Sequence, residues 1–223
     1  MARLARVCVP GGWHHVTQRG NEGRDVFPRA ADRDVYLSLL RQSRQRHGLH
    51  VLAYCLMSNH VHLVVVPETT DALSCAMRDI HTTYAMALHR REGRGGHVWQ
   101  GRFYACVLDE PHLWAAIRYV ERNPVRARIV ASAEEYWWSS AAARCGLRSD
   151  PNLSVDALPP ALVTDWRAWL CEEDEALSER VRAQTRTGRP CGSDTFVQQL
   201  ESVLGRPLAA RRRGPKPGSG TRR

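Results

Sequence analysis

Trp13 to Arg19 alternates apolar and polar side chains, the period-2 pattern of a half-buried strand. Gly20-Asn-Glu-Gly then reads as a turn. Val35, Tyr36, Leu39 and Leu40 recur at helical spacing within Asp32 to His47. Leu49 to Met57 and His60 to Pro67 are two strands joined by Ser58-Asn59, the length of a two-residue hairpin. Leu73, Ala76, Met77, Ile80, Tyr84, Ala87 and Leu88 mark a second amphipathic helix that ends in the polar Arg90 to Gly96 loop. Val98 to Leu108 is a fourth strand, with Gly101 as a bulge.

Asp109-Glu-Pro opens a third helix with an Asp cap, an acidic first turn and an early proline. Leu113, Ala116, Ile117 and Val120 form its apolar stripe, and Pro124 is expected to end or kink it. The order β-α-β-β-α-β predicts an α+β, ferredoxin-like (RRM-like) fold, a split βαβ antiparallel sheet with two helices on one face. The third helix is additional and is expected to dock on the free face. Beyond Glu135, the Tyr136-Trp137-Trp138 cluster is expected to pack back on this unit, taken as residues 1–145. Leu158 to Val181 and Asp194 to Leu204 read as short helices of a C-terminal region, 146–205. Residues 206–223 are rich in Pro, Gly and Arg and are expected to be disordered when free.

The 223 residues and 43% apolar content support a substantial core. No apolar run approaches the ~20 residues that span a bilayer. The start lacks the apolar stretch of a secretory leader. Seven cysteines without a Cys-x-x-Cys pair fit reduced thiols in a cytoplasmic protein. The net charge of +9 is uneven: residues 1–150 carry +6, 151–205 carry −4 and 206–223 carry +7. Lys216 is the sole lysine, so the positive charge is almost all guanidinium, whose planar fork suits phosphate. A polyanionic partner follows, although charge alone does not separate DNA from RNA.

The candidate chemistry lies in His60-Val61-His62, two imidazoles on one face of a strand, and in Tyr119 and Asn123, one helical turn apart. Together they supply two metal ligands, a third on a neighbouring element and a phenolic nucleophile. Taken singly, each is more often structural: a hydrogen-bonded histidine, a packing tyrosine, an asparagine capping a turn.

Three stretches make a resemblance specific: Tyr54-Cys-Leu-Met-Ser-Asn-His-Val-His-Leu-Val-Val, Trp99-Gln-Gly-Arg-Phe and Tyr119-Val-Glu-Arg-Asn-Pro-Val-Arg-Ala. In this order, across roughly residues 10 to 145, the chain resembles the REP-associated tyrosine transposases, a branch of the single-tyrosine HUH transposases. The resemblance implies that His60 and His62 bind a divalent metal (Mg²⁺ or Mn²⁺), that Asn123 occupies the third-ligand position and that Tyr119 is the nucleophile. It implies single-stranded, hairpin-forming DNA as substrate, a 5′-phosphotyrosine intermediate, and strand transfer in DNA transposition. It further implies a nucleoid-associated monomer or homodimer with no membrane partner. Arg19, Asn21, Arg102, Arg118, Arg122 and Arg126 are expected DNA contacts, and Trp99 and Phe103 candidates for base stacking. In the tail, Arg211, Arg212, Arg213 and Lys216 offer salt-sensitive phosphate affinity. Two rival readings are a catalytically silent DNA-binding protein and a metal-dependent nuclease that activates water.

Overall fold

The computed structural model describes residues 6–93, 95–159, 163–172 and 174–209. The tail contacts Arg211, Arg212, Arg213 and Lys216 lie outside the described residues. Strands β1 (Trp13–Arg19), β2 (Leu49–Leu56), β3 (His60–Pro67) and β4 (Tyr104–Leu108) form an antiparallel sheet in the order β2-β3-β1-β4. Helices α1 (Ala30–His47) and α2 (Ala72–Glu92) complete the split βαβ pattern. Among the described residues no helix is long and apolar enough to cross a membrane.

Register decides what each face carries. Thr17 pairs with His62, Arg19 with His60, and His15 with both Val64 and Cys106. Paired residues point to the same side, so His15, Thr17, Arg19, His60 and His62 share one face, and Val16, Val61, Leu63 and Val65 share the other. The apolar face packs against Tyr36 and Leu40 of α1 and Leu73, Met77, Ile80 and Tyr84 of α2. The histidine face is covered by α3 (Glu110–Arg126), whose Leu113, Ala116, Ile117 and Val120 meet Ala53, Cys55, Val64 and Val66.

The first unit ends with α4 (Ala141–Arg144), and the C-terminal region adds α5 (Trp166–Cys171), α6 (Glu175–Thr187) and α7 (Asp194–Leu204). Leu177 and Val181 of α6 join the same apolar cluster as α3, with Cys106 and Leu108 of β4. Two helices from distant parts of the chain therefore share the histidine face. The acidic balance of this region has a physical use: Glu172 pairs with Arg118 at 3.3 Å and Glu175 with Arg126 at 2.7 Å, so the segment docks on the arginines of α3.

Helix α3 starts as its sequence requires: the Asp109 carboxylate accepts the His112 N–H at 3.2 Å, and its other oxygen accepts Ser193 N–H at 2.8 Å. The expected break at Pro124 does not occur there, and the helix runs on to Arg126. Proline removes a single N–H within the last turn, and the chain closes beyond it through Ala127 N–H on the Asn123 carbonyl and Ile129 N–H on the Pro124 carbonyl, both 2.9 Å. The fourth strand also differs, beginning at Tyr104 rather than Val98. Gly101 takes φ 67°, and Trp99 keeps only a bridge to Gly20 while its indole N–H donates to the His81 carbonyl at 3.1 Å. Gly20 is required for space: a Cβ there would lie 2.1 Å from the Arg24 carbonyl oxygen. The aromatic segment does pack back, along β2. Leu56 N–H donates to Trp138 O at 2.9 Å and Tyr136 Oη to Leu56 O at 2.8 Å, which covers an otherwise open sheet edge.

Glu121 locks α3 to these later segments. It is 0% exposed, and its two oxygens accept Ser140 Oγ at 2.5 Å and Trp166 Nε1 at 2.7 Å. Burial pushes its carboxyl up, and those two donors and Arg144 pull it back. Glu121→Ala removes the shared acceptor of the Ser140 hydroxyl and the Trp166 indole, each loss worth about 1–3 kcal/mol. Urea unfolding is expected to show a loss of about 2–5 kcal/mol, with α5 exchanging its amide protons faster; an unchanged midpoint would contradict the clasp.

Candidate active site

A cavity of ≈ 450 Å³ opens on the histidine face, where the end of β1, the start of β3, α3 and α6 meet. The structure brings His60, His62 and Tyr119 together in its wall. Arg19 also lines it. Sequence reasoning missed His15, Thr17, Gln100 and Tyr104, and from α6 Arg182, Thr185 and Arg186. For His15 a signal existed: on an alternating strand it shares a face with Thr17 and Arg19. For α6 there was none, because only tertiary packing brings it to the sheet.

A chain of hydrogen bonds runs from α6 to β3. Thr185 Oγ1 donates to the Val181 carbonyl at 2.7 Å, so toward His15 Nδ1, also at 2.7 Å, it must accept. His15 therefore carries its proton on Nδ1 and presents a bare Nε2. That nitrogen lies 3.0 Å from His62 Nδ1, which must then be the protonated one. The two rings lie 6° from parallel with centroids 5.2 Å apart; with a 3.0 Å nitrogen contact they are edge to edge and coplanar, not stacked. The outcome is a His62 Nε2 lone pair left over for a ligand.

His60 reaches the same state by a local route. Asn59 Nδ2 donates to the Gly23 carbonyl at 3.1 Å, which turns Asn59 Oδ1 toward His60 Nδ1 at 2.6 Å. The His60 proton thus sits on Nδ1, and Nε2 is again the bare nitrogen. Burial keeps both rings neutral: His60 is pushed down to about 4 by burial and then by Arg19. His62 falls well below its ordinary value through burial, then His60, His15 and Arg182. Two neutral imidazoles on one strand face with unused Nε2 lone pairs are a donor set that fits a divalent metal.

Tyr119 stands perpendicular to the rings of His62 and His15, with centroids 5.3 Å and 5.8 Å away. Burial raises its pKa, and Arg182, Arg126, Asn123 and Arg186 oppose that rise. Asn123 is buried but does not line the cavity, and its Nδ2 donates to the Tyr119 carbonyl at 2.9 Å, leaving Oδ1 as its acceptor end.

The expected DNA contacts of α3 are placed otherwise. Arg118 lies over the Trp169 ring at 4.3 Å and pairs with Glu172. Arg122 Nη1 donates to the carbonyls of Leu170, Cys171 and Glu172 at 2.8–3.0 Å. Arg126 binds both oxygens of Glu175, at 2.7 and 2.9 Å. These three hold α5 and α6 to α3, and none lines the cavity. Arg102 is exposed in a separate cleft beside Arg6 and Thr187, and Asn21 opens a short 3-10 turn with its N–H on the Val98 carbonyl at 2.8 Å. Trp99 and Phe103 are core residues, the latter capped by the Arg6 guanidinium at 3.7 Å.

A family described as IS200-like transposases matches residues 8–123, from before β1 to one turn past Tyr119. A candidate REP-associated tyrosine transposase of Haemophilus influenzae is 23% identical over 116 residues. That alignment covers 47% of this chain and 66% of the relative, so the chain spans just under two thirds of that protein. The structure of a REP-associated tyrosine transposase bound to a REP hairpin superposes with a TM-score of 0.56 at 18% identity, covering 72% of this chain and 96% of that one. At that identity the likeness bears on the fold.

The neutral histidines predict an acid limit to stability. His14, whose Nε2 accepts Val9 N–H at 3.2 Å, is pushed by burial from 6.5 to about 4, and His15 by burial to about 3. Below 6.5 the unfolded chain takes up protons that the folded chain refuses, so stability falls as pH drops from about 6.5 toward 4. The slope is on the order of 1 kcal/mol per pH unit for each imidazole. Urea midpoints at about pH 7, 6 and 5 check this, and a flat series would refute neutral burial.

Proposed function

Because the chain belongs to the IS200-like transposase family, we propose that it cuts and rejoins single-stranded DNA through a covalent link to Tyr119, at hairpin-forming repeats. The observation that carries this reading is the meeting of Tyr119, His60 and His62 in the wall of one cavity, with the Tyr119 and His62 ring centroids 5.3 Å apart. His60 and His62 would hold Mg²⁺ or Mn²⁺; Asn123, which does not line the cavity, would serve as the third ligand only by turning its Oδ1 inward. When bound, such a cation aligns the scissile phosphate and offsets the charge that develops on it. Mixed nitrogen and oxygen donors suit Mn²⁺ well.

The protein's own residues supply the rest. An ordinary phenol is a weak nucleophile near neutral pH, and burial makes Tyr119 weaker still. Arg182, Arg126 and Arg186 counter this by favouring the phenolate. The phenol gives up its proton, its oxygen bonds to phosphorus, and the bond from phosphorus to the 3′ oxygen breaks. That oxygen takes up a proton, leaving a 3′-OH and a 5′-phosphotyrosine. Attack by another 3′-OH on the link reverses the step and joins strands without a nucleotide cofactor. A hairpin partner fits the protein of similar fold, which is bound to a REP hairpin.

Incubating labelled hairpin DNA carrying a single-stranded flank with Mn²⁺ tests the reading. A denaturant-stable protein–DNA adduct is expected, reduced on the order of 10³-fold or more in Tyr119→Phe. Adduct should also fall in His60→Ala and His62→Ala, with DNA binding kept. Cutting that survives Tyr119→Phe without an adduct would instead identify a water-activating nuclease, and tight binding with no cutting a silent DNA-binding protein.

A further inference from the structure

The family match ends at Asn123, yet α6, more than fifty residues further on, forms part of the cavity wall. We propose that Thr185 is a positioning residue for His62, acting through His15. The route is the one traced above: Val181 carbonyl, Thr185 hydroxyl, His15, His62, with separations of 2.7, 2.7 and 3.0 Å. Each link is directional, and the direction is set at the α6 end. The Thr185 hydroxyl has one proton, and it goes to the Val181 carbonyl of its own helix. Cys106 Sγ, at 3.1 Å, can only donate to what remains. The hydroxyl is thereby an obligate acceptor, and the two imidazoles must align their protons behind it. His62 is left with a fixed ring plane and a fixed lone pair facing the cavity, the arrangement that outer partners impose on metal-binding histidines. Thr185 and His15 are buried and need not touch DNA for this role.

This inference rests on the DNA-cleaving reading of the cavity, but its first test needs neither DNA nor metal. Long-range ¹H–¹⁵N spectra of the apo protein report each imidazole tautomer. His15 and His62 are both expected with the proton on Nδ1, and a His62 proton on Nε2 in the wild type would overturn the proposal. Thr185→Val keeps the shape and removes the hydroxyl. It should release the His62 tautomer and weaken Mn²⁺ binding, followed by titration with Mn²⁺ alone, by about 10–100-fold, while Thr185→Ser restores both. Wild-type tautomer and Mn²⁺ affinity in Thr185→Val would overturn it. If the wild type forms the DNA adduct and Thr185→Val matches it in every readout, this inference fails alone; if the wild type forms no adduct, the functional reading fails whatever the tautomer.

A separate observation carries a second inference. Among the described residues lining the cavity there are three arginines, Arg19, Arg182 and Arg186, and no carboxylate. Arg182 has Glu175 only at 3.9 Å, because Arg126 already holds both oxygens of that carboxylate. Three guanidiniums around neutral imidazoles repel one another unless an anion joins them. The geometry points to Arg182 and Arg186 as partners for backbone phosphates of the bound single strand. In Arg182→Gln/Arg186→Gln the dependence of affinity on salt, measured with single-stranded DNA, should flatten by about 0.7 in log–log slope for each phosphate no longer neutralised. Arg78→Gln, on α2, should leave the slope unchanged. A wild-type slope in the double variant, or an equal change in Arg78→Gln, would overturn the assignment.

Discussion

The edge-to-edge hydrogen bond between His15 and His62 joins the two central strands of the sheet through side chains rather than backbone. It exists only if His15 stays neutral at Nε2 and His62 carries a proton on Nδ1. Neutrality comes from burial, which costs a charged imidazole far more than a neutral one. Proton placement comes from the Thr185 hydroxyl, itself committed to a helix carbonyl. A cavity lined by neutral imidazoles is therefore built by covering the sheet, and the helices that cover it also set where their protons sit. Stability and chemistry depend on the same act of burial.

That covering explains the division among the arginines. Arg118, Arg122 and Arg126 project from α3 toward Glu172, Glu175 and the carbonyl end of α5, where they hold the C-terminal region in place. Arg19, Arg182 and Arg186 face the cavity without a lining acid among the described residues. The uneven charge along the chain gains a meaning from this: the acidic stretch neutralises one arginine face of α3, and its own helix α6 returns two guanidiniums to the site. Buried Glu121 fixes the other side of α3 through Ser140 and Trp166. The helix that carries Tyr119 is thus held on both sides by segments beyond the family's match, which ends at Asn123.

Where sequence and structure part, the cause is shared. Pro124 reads locally as the end of α3, but it removes only one N–H, and packing carries the last turn onward. The run from Val98 reads as one strand by its apolar content, but Trp99 is claimed by the core with α1 and α2, and Gly101 turns the chain. Arginines beside Tyr119 in sequence read as phosphate partners, and the structure places carboxylates and carbonyls against three of them. In each case a neighbour distant in sequence overrules a local pattern.

Local periodicity was enough to determine the order of strands and helices, the cap and start of α3, and the shared face of His60 and His62. Those properties depend on residues one to four positions apart, whose geometry the backbone repeat already sets. The element order left the sheet's free face for the helix of Tyr119, and the family resemblance made its pairing with the histidines specific, since no spacing rule joins a helix to a strand more than fifty residues away. The tautomers of His15 and His62, the placement of Thr185, Arg182 and Arg186 in the cavity wall, and the diversion of Arg118, Arg122 and Arg126 were decided by tertiary structure alone. A hydrogen bond or an ion pair has a direction and a reach of about 3 to 4 Å, and only the folded chain states which groups come within it.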